Sequence, residues 1–218
     1  MSIARFAIRK VTTPEATGIV LESLLDPSIA TWNAAYALQR IGDQAQVRAE
    51  VPRLIRAAQH RDPLVRMHLV TLFGKLKGES SLLEPLVNLS RFDPDWRVRV
   101  NAVRALGTFP PDSRVSASLG ALLADENAYI VLAALTVAGS YGVPAGTLPV
   151  ELDPLVPAIR DLASGVDRGQ RWQYRSEAAA ALARLLGGKA LPDLRSAAPD
   201  EPLLMAGLIV ALAATGSA

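Results

Sequence analysis

The chain of 218 residues contains no cysteine, only two histidines and 5% aromatic residues. The absence of cysteine excludes disulfides, thiolate metal sites and cysteine nucleophiles. His60 and His68 stand outside any metal-ligand motif, and the chain has no phosphate loop, dinucleotide fingerprint or Gly-x-Ser-x-Gly motif. We therefore expect no catalytic residue, no cofactor and no metal site.

Long hydrophobic runs are also missing. No segment reaches the roughly 18 consecutive apolar residues of a membrane span, and the apolar stretch 203–214 is too short. Residues 1–6 contain neither a long apolar run nor a cleavage-like site. We expect no membrane insertion and no signal peptide. The compartment is unknown from the sequence, with the cytoplasm as the default.

A short sequence motif recurs along the chain: a small or apolar residue, a Leu-like residue, two variable residues, an apolar residue and often Gly. Its second position returns after 30 to 44 residues. Repeats of this length, each with two helical patterns, indicate stacked helical hairpins. The residues at the second position are Ile8, Leu38, Phe73, Leu106, Ala138, Leu182 and Leu212.

Turn and helix-start residues recur with the same period. Each repeat opens with an aspartate, a residue that accepts hydrogen bonds from free N–H groups at a helix start. Most predicted second helices contain a proline. A proline in a helix interior would lower helix stability by about 3 kcal/mol, so each of these prolines indicates the first turn of its helix. The aspartates are Asp26, Asp62, Asp93, Asp125, Asp167 and Asp200, and the prolines are Pro52, Pro85, Pro157 and Pro192.

Segment 93–107 carries these features together. It reads Asp93-Pro94, Trp96, Val98-Arg99, Ala102 and then Ala105-Leu106-Gly107, with Trp96, Val100 and Val103 at helical spacing. This pattern resembles the consensus of the HEAT-repeat family, which is armadillo-like, and the resemblance extends over nearly the whole chain. It implies an all-α fold: a right-handed α-solenoid of about six helical hairpins.

The resemblance also implies a ladder of ion pairs between turn aspartates and helix arginines. Arg66, Arg99 and Arg175 occupy the arginine positions. They would pair with Asp62, Asp93, Asp167 or the aspartate of an adjacent repeat.

We expect one domain over residues 1–218, because a repeat array forms one continuous core. The expected repeats are 1–25, 26–61, 62–92, 93–124, 125–166, 167–199 and a half repeat, 200–218. Both ends look incomplete. We therefore expect a segment of a longer array, or a last helix that packs against another domain or a second copy.

Charge is distributed unevenly, although the net charge is only +2. Residues 40–114 carry thirteen basic and eight acidic side chains, whereas residues 115–218 carry seven and ten. Arg48, Arg53 and Arg56 lie on one predicted second helix and Arg91 on the next, so they are candidates for a basic partner-binding strip. The alternative is a solvated face with local ion pairs.

A second candidate lies in the longest repeat. Segment 164–170 lengthens a turn ahead of Arg171 and Trp172, and Trp/Tyr/Arg groups are typical of interface hot spots. Core packing is the favoured interpretation for the aromatic residues Tyr141, Trp172 and Tyr174. Arg171 and Trp172 are kept as candidates for partner binding.

These features favour a non-catalytic scaffold that binds a protein or peptide on its concave face, which the resemblance to HEAT repeats implies is formed by second helices. Such an array can serve as the accessory arm of a larger protein, for example ahead of a cyclophilin-type prolyl isomerase. Nucleic acid is not expected as the partner, because aromatic residues are not interleaved with the arginines. The alternative is an enzyme or enzyme subunit that resembles bilin lyase subunits or alkyl-base DNA glycosylases.

The apolar stretch 203–214 leads to a testable prediction. A helix with this sequence leaves an apolar face without a second helix after it, so we expect self-association through it. Sedimentation velocity should show a concentration-dependent shift towards dimers. A monodisperse monomer at all concentrations would contradict this prediction.

Overall fold

The computed structural model describes residues 13–25, 31–142, 148–165 and 172–197, together with Met205, Ile209 and Ala213. Regular structure in these residues is entirely helical, so the predicted all-α class is confirmed. The α-helices are α1 (Pro14–Leu25), α2 (Thr31–Ile41), α3 (Ala45–Ala49), α4 (Val51–Ala57), α5 (Pro63–Phe73), α6 (Leu83–Phe92), α7 (Trp96–Leu106), α8 (Ser113–Leu122), α9 (Ala128–Ser140), α10 (Val156–Ser164), α11 (Trp172–Leu186) and α12 (Leu191–Ala197). Short 3-10 helices lead into α6, α10 and α12 (Ser80–Leu82, Val150–Leu155 and Gly187–Ala190).

The chain forms two compact units, Met1–Phe109 and Pro110–Ala218. In the first unit, α5 packs between α2 and α7, and α6 packs against α7. In the second unit, α9 and α10 both pack against α11. The organisation of the whole chain as one domain stays a prediction.

The recurring motif marks the core. Its second position is fully buried wherever the structure describes it, and so is the small residue found in four of the first helices. Large apolar side chains fill the interior, while the small ones let neighbouring helices approach closely. The buried residues at the second motif position are Leu38, Phe73, Leu106, Ala138 and Leu182, and the small residues are Ala34, Ala102, Ala134 and Ala178.

The glycine of the motif also has a packing role at the end of α5. A Cβ atom on Gly74 would lie 3.2 Å from both Cα and Cβ of Ala105 on α7. Contacts this short require a neighbour to shift, so glycine permits the observed approach of the two helices.

The helix starts confirm part of the prediction and correct the rest. Asp62 caps α5 as expected, because its carboxylate accepts from the Leu64 N–H at 2.9 Å. Asp93 and Asp125 were wrongly expected to cap α7 and α9. Their carboxylates accept from the N–H two residues ahead, within the turn, and the caps are Asp95 and Asn127.

The second-helix prolines lie in first turns as predicted, where their missing N–H costs no helical hydrogen bond. The remaining predicted caps, Asp26, Asp167 and Asp200, lie outside the described residues. So does most of 203–214, of which Met205, Ile209 and Ala213 are helical and exposed. Self-association stays a prediction.

The aspartate–arginine ladder is confirmed at Arg66. Its Nε and one terminal nitrogen donate to the two carboxylate oxygens of Asp93, at 2.7 and 2.8 Å. Both side chains are buried, with 9% and 2% exposure, and the pairing raises the pKa of Arg66 above its usual value. Arg99 and Arg175 donate to the main-chain oxygens of Ser90 and Ala163, at 3.3 and 3.4 Å, and their place in the ladder stays a prediction.

This buried pair predicts a large stability effect. Replacing Arg66 by Leu leaves the Asp93 carboxylate buried without its counter-ion. We expect the unfolding free energy to fall by about 3 kcal/mol, as for other broken buried pairs. Urea unfolding measures the change. The control is Arg97→Leu, which removes an exposed arginine paired with Asp95 at 2.6 Å and should have little effect. Equal losses in both variants would contradict the prediction.

His68 joins two first helices of the first unit. Its Nδ1 lies 2.6 Å from Oε1 of Gln39, and its ring packs edge-on against Tyr36, with centroids 5.3 Å apart. Burial lowers the pKa of His68 below its usual 6.5, and the charge of Asp62 opposes this shift only partly. The neutral imidazole is therefore the form that fits the fold.

A lowered pKa means that the unfolded chain binds a proton at His68 more readily than the folded chain. Stability contributed by neutral His68 is present above pH 6.5 and is lost as pH falls below that value. The thermal midpoint should therefore drop more between pH 7.5 and 5.5 in the wild type than in His68→Gln. His60 remains in both proteins, so the difference isolates His68. Identical pH profiles would exclude this role.

Candidate functional site

An open groove of about 660 Å³ lies in the first unit. Helix α4 and the turn after it form one wall, and helix α6 and the turn after it form the other. These are second helices of two consecutive hairpins. The lining residues are Ile55, Ala58, Gln59, His60, Arg61, Arg66, Glu84, Pro85, Asn88, Leu89, Phe92, Asp93 and Pro94.

Helix α6 supplies the apolar wall because it carries two apolar stripes. Leu83 and Leu86 are buried in the core. Pro85, Leu89 and Phe92 follow each other at steps of four and three residues, which places them together on another face, towards the groove. Phe92 is 68% exposed, so the groove presents a large aromatic ring to solvent.

The base of the groove is polar but internally satisfied. Arg66 pairs with Asp93 there, and its remaining terminal nitrogen donates to the main-chain oxygens of His60 and Arg61 at 2.8 and 3.1 Å. Asp93 also accepts from the Asp95 N–H at 2.8 Å. The same guanidinium thereby connects the turns after α4 and α6.

Two members of the predicted basic strip form local ion pairs. Arg48 makes a bidentate contact with Asp43, at 2.6 and 2.7 Å, and donates to the Lys77 oxygen at 2.9 Å. This contact lowers the pKa of Asp43 and raises that of Arg48. Arg53 pairs with Glu50 at 2.9 Å.

Arg56 and Arg91 are next in sequence to residues that line the groove, Ile55 and Phe92. Arg56 is exposed and follows Ile55 of the wall. The guanidinium carbon of Arg91 lies 4.9 Å from the centroid of the Phe92 ring, within cation–π range.

The second predicted site is only partly visible. Arg171 lies outside the described residues, and Trp172 begins α11 with a side chain that the structure does not describe. Tyr174 is buried, as the core-packing alternative expected. Tyr141 is partly buried, and burial raises its pKa to about 12.

Sequence reasoning missed the apolar wall and Arg61. The available signal was the second stripe of α6, Pro85, Leu89 and Phe92, which ends next to an arginine. The structure adds Arg61, which is exposed and lines the groove from the turn after α4.

The described residues contain neither a membrane-spanning helix nor a cluster of metal ligands. No helix among them is both long and apolar enough to cross a membrane. Within the same residues, no three acidic or histidine side chains come together in an arrangement that could hold a metal ion.

Comparisons with known proteins agree with this architecture. Residues 83–170 match the family model described as HEAT repeats, so the resemblance predicted from the sequence is confirmed. Among solved structures, the designed armadillo repeat protein YIII(Dq.V1)4CPAF in complex with peptide (KR)4 is similar, with a TM-score of 0.61 and 18% identity. The similarity covers 90% of this chain and 98% of the designed protein, and it shows an α-solenoid fold. No curated protein matches the chain.

Proposed function

We propose that the chain is a non-catalytic scaffold and that the groove between α4 and α6 binds an extended segment of a partner protein. The observation that carries this proposal is the apolar wall formed by half-buried Leu89 and exposed Phe92 in an open groove of about 660 Å³. Ligand-binding clefts have volumes of roughly 300–1,000 Å³ and are lined mostly by apolar groups. An exposed wall of this kind gains stability when a ligand side chain covers it.

Polar side chains of the groove suit a peptide main chain. Gln59 and Asn88 are exposed, and each amide offers both donors and acceptors. Asn88 already contacts Glu84 weakly, with its nitrogen 3.4 Å from Oε1. A bound peptide with unpaired N–H and C=O groups can therefore find partners on both walls.

The fold supports a binding role. HEAT and armadillo repeats are typical of protein-binding scaffolds, and the designed armadillo protein is in complex with a peptide. In this chain the groove lies on second helices, the elements expected to bear a binding site.

The chemistry of the groove supports a non-catalytic role. Both carboxylate oxygens of Asp93 accept from Arg66, and one also accepts from a main-chain N–H. A carboxylate engaged in this way is poorly placed to exchange protons with a substrate. His60 Nδ1 accepts from the Asp62 N–H at 3.0 Å, so this nitrogen is also engaged.

Phe92→Asp tests the proposal. A display library of short random peptides is selected on the wild-type protein, and the affinity of synthesised binders is measured by fluorescence anisotropy. Losing the aromatic contact, which is worth about 1.5–3 kcal/mol when buried, should weaken binding at least tenfold.

Val150→Asp is the matched control, because Val150 is 71% exposed and lies in the second unit. This variant should bind the selected peptides as the wild type does. Failure to select any peptide, or peptides bound equally by Phe92→Asp, would overturn the proposal.

A further inference from the structure

We propose that the groove selects an acidic partner segment: an apolar side chain flanked by aspartate or glutamate. This inference rests on the proposed function and names the chemistry of the ligand. It follows from the charges that stay uncompensated around the groove after local ion pairs are taken into account.

The charges at the base of the groove cancel. Arg66 and Asp93 contact each other through two hydrogen bonds of 2.7 and 2.8 Å and form a neutral pair. Arg53 and Glu50 on α4 likewise pair at 2.9 Å. Neither pair leaves a full charge for a ligand.

The rim of the groove keeps its positive charge. Arg56, Arg61 and Arg91 are exposed, and none of them forms an ion pair with the residues that the structure describes. Arg61 lines the groove, and Arg56 and Arg91 are next in sequence to the lining residues Ile55 and Phe92, which belong to opposite walls. Arginine is well suited to this role because its planar fork binds carboxylates through two hydrogen bonds.

Fewer acidic than basic side chains lie near the rim. Glu84 is exposed on the groove wall, next to Asn88. Asp62 follows Arg61, but its carboxylate caps α5 through the Leu64 N–H at 2.9 Å and lies at a helix N-terminus, which favours negative charge. The three rim arginines therefore outnumber the one exposed carboxylate, that of Glu84, which does not cap a helix.

Arg91 joins the apolar and charged parts of the site. Because its guanidinium lies over the Phe92 ring at 4.9 Å, a ligand side chain packed on that ring brings its neighbouring residues close to Arg91. A carboxylate there gains a charge-assisted hydrogen bond, whereas a lysine or arginine meets like charge. The apolar residue and the acidic residue should therefore be adjacent in the ligand.

Three synthetic peptides of equal length test the inference. Each has the same Leu-Phe centre, and the flanks are Asp/Glu, Ser/Gln or Lys/Arg. Fluorescence anisotropy at low salt should show the tightest binding for the acidic peptide and the weakest for the basic one. Raising the salt concentration should weaken the acidic complex several-fold and leave the neutral complex nearly unchanged.

Paired charge-reversal variants assign the effect to the rim. Arg56→Glu/Arg91→Glu should weaken binding of the acidic peptide by about tenfold, because two weak exposed ion pairs are lost and the reversed charges add repulsion. The matched control is Arg40→Glu/Arg104→Glu, which changes exposed arginines of α2 and α7 and gives the same net charge. Circular dichroism verifies that both variants are folded.

The outcomes separate this inference from the proposed function. If the neutral peptide binds as tightly as the acidic one, or if both double variants lose affinity equally, the charge selectivity of the rim is overturned while peptide binding stands. If none of the three peptides binds and display selection also fails, the proposed function falls, and this inference falls with it.

Discussion

The groove depends on one buried guanidinium. Arg66 projects from α5, pairs with Asp93 in the turn after α6 and donates to two main-chain oxygens in the turn after α4. One side chain thus holds together the two turns at the ends of the groove walls. The fold can bury the Arg66 guanidinium because nearly all of its N–H groups donate hydrogen bonds and the Asp93 carboxylate compensates its charge. The shape of the groove and the neutrality of its base consequently have the same origin.

This arrangement separates affinity from selectivity. A neutral base contributes little net field, so an apolar ligand group can approach it without meeting an unpaired charge. In the proposed complex, the area covered on Leu89 and Phe92 would supply most of the binding free energy. The exposed rim would then select the charge of the ligand, because each rim contact is weak and screened by salt and acts mainly by repelling a ligand of like charge.

The helical architecture could be predicted from the sequence because buried positions recur with a regular period. Prediction from the sequence fails where a residue could make either of two alternative sets of contacts. Asp93 could cap α7, but its carboxylate is used by the turn and by Arg66, and Asp95 takes the cap. Periodicity also grouped Trp96 with the buried Val100 and Val103, yet Trp96 is 43% exposed, since it begins the helix. The apolar wall was missed for a similar reason, because spacing alone cannot tell which of two stripes a neighbour covers.

The basic strip shows why net charge along a segment is a poor guide to a binding surface. Arg53 has Glu50 three residues before it on the same helical face, within ion-pair reach, and the pair forms. Arg56 has Pro52, Arg53, Gln59 and His60 at the corresponding positions, and none of these is acidic. Arg91 has Val87 and Asn88 on its helix, so its guanidinium stacks on Phe92 instead. What a ligand meets is the charge that remains after such local pairing, and in this groove that remainder is positive.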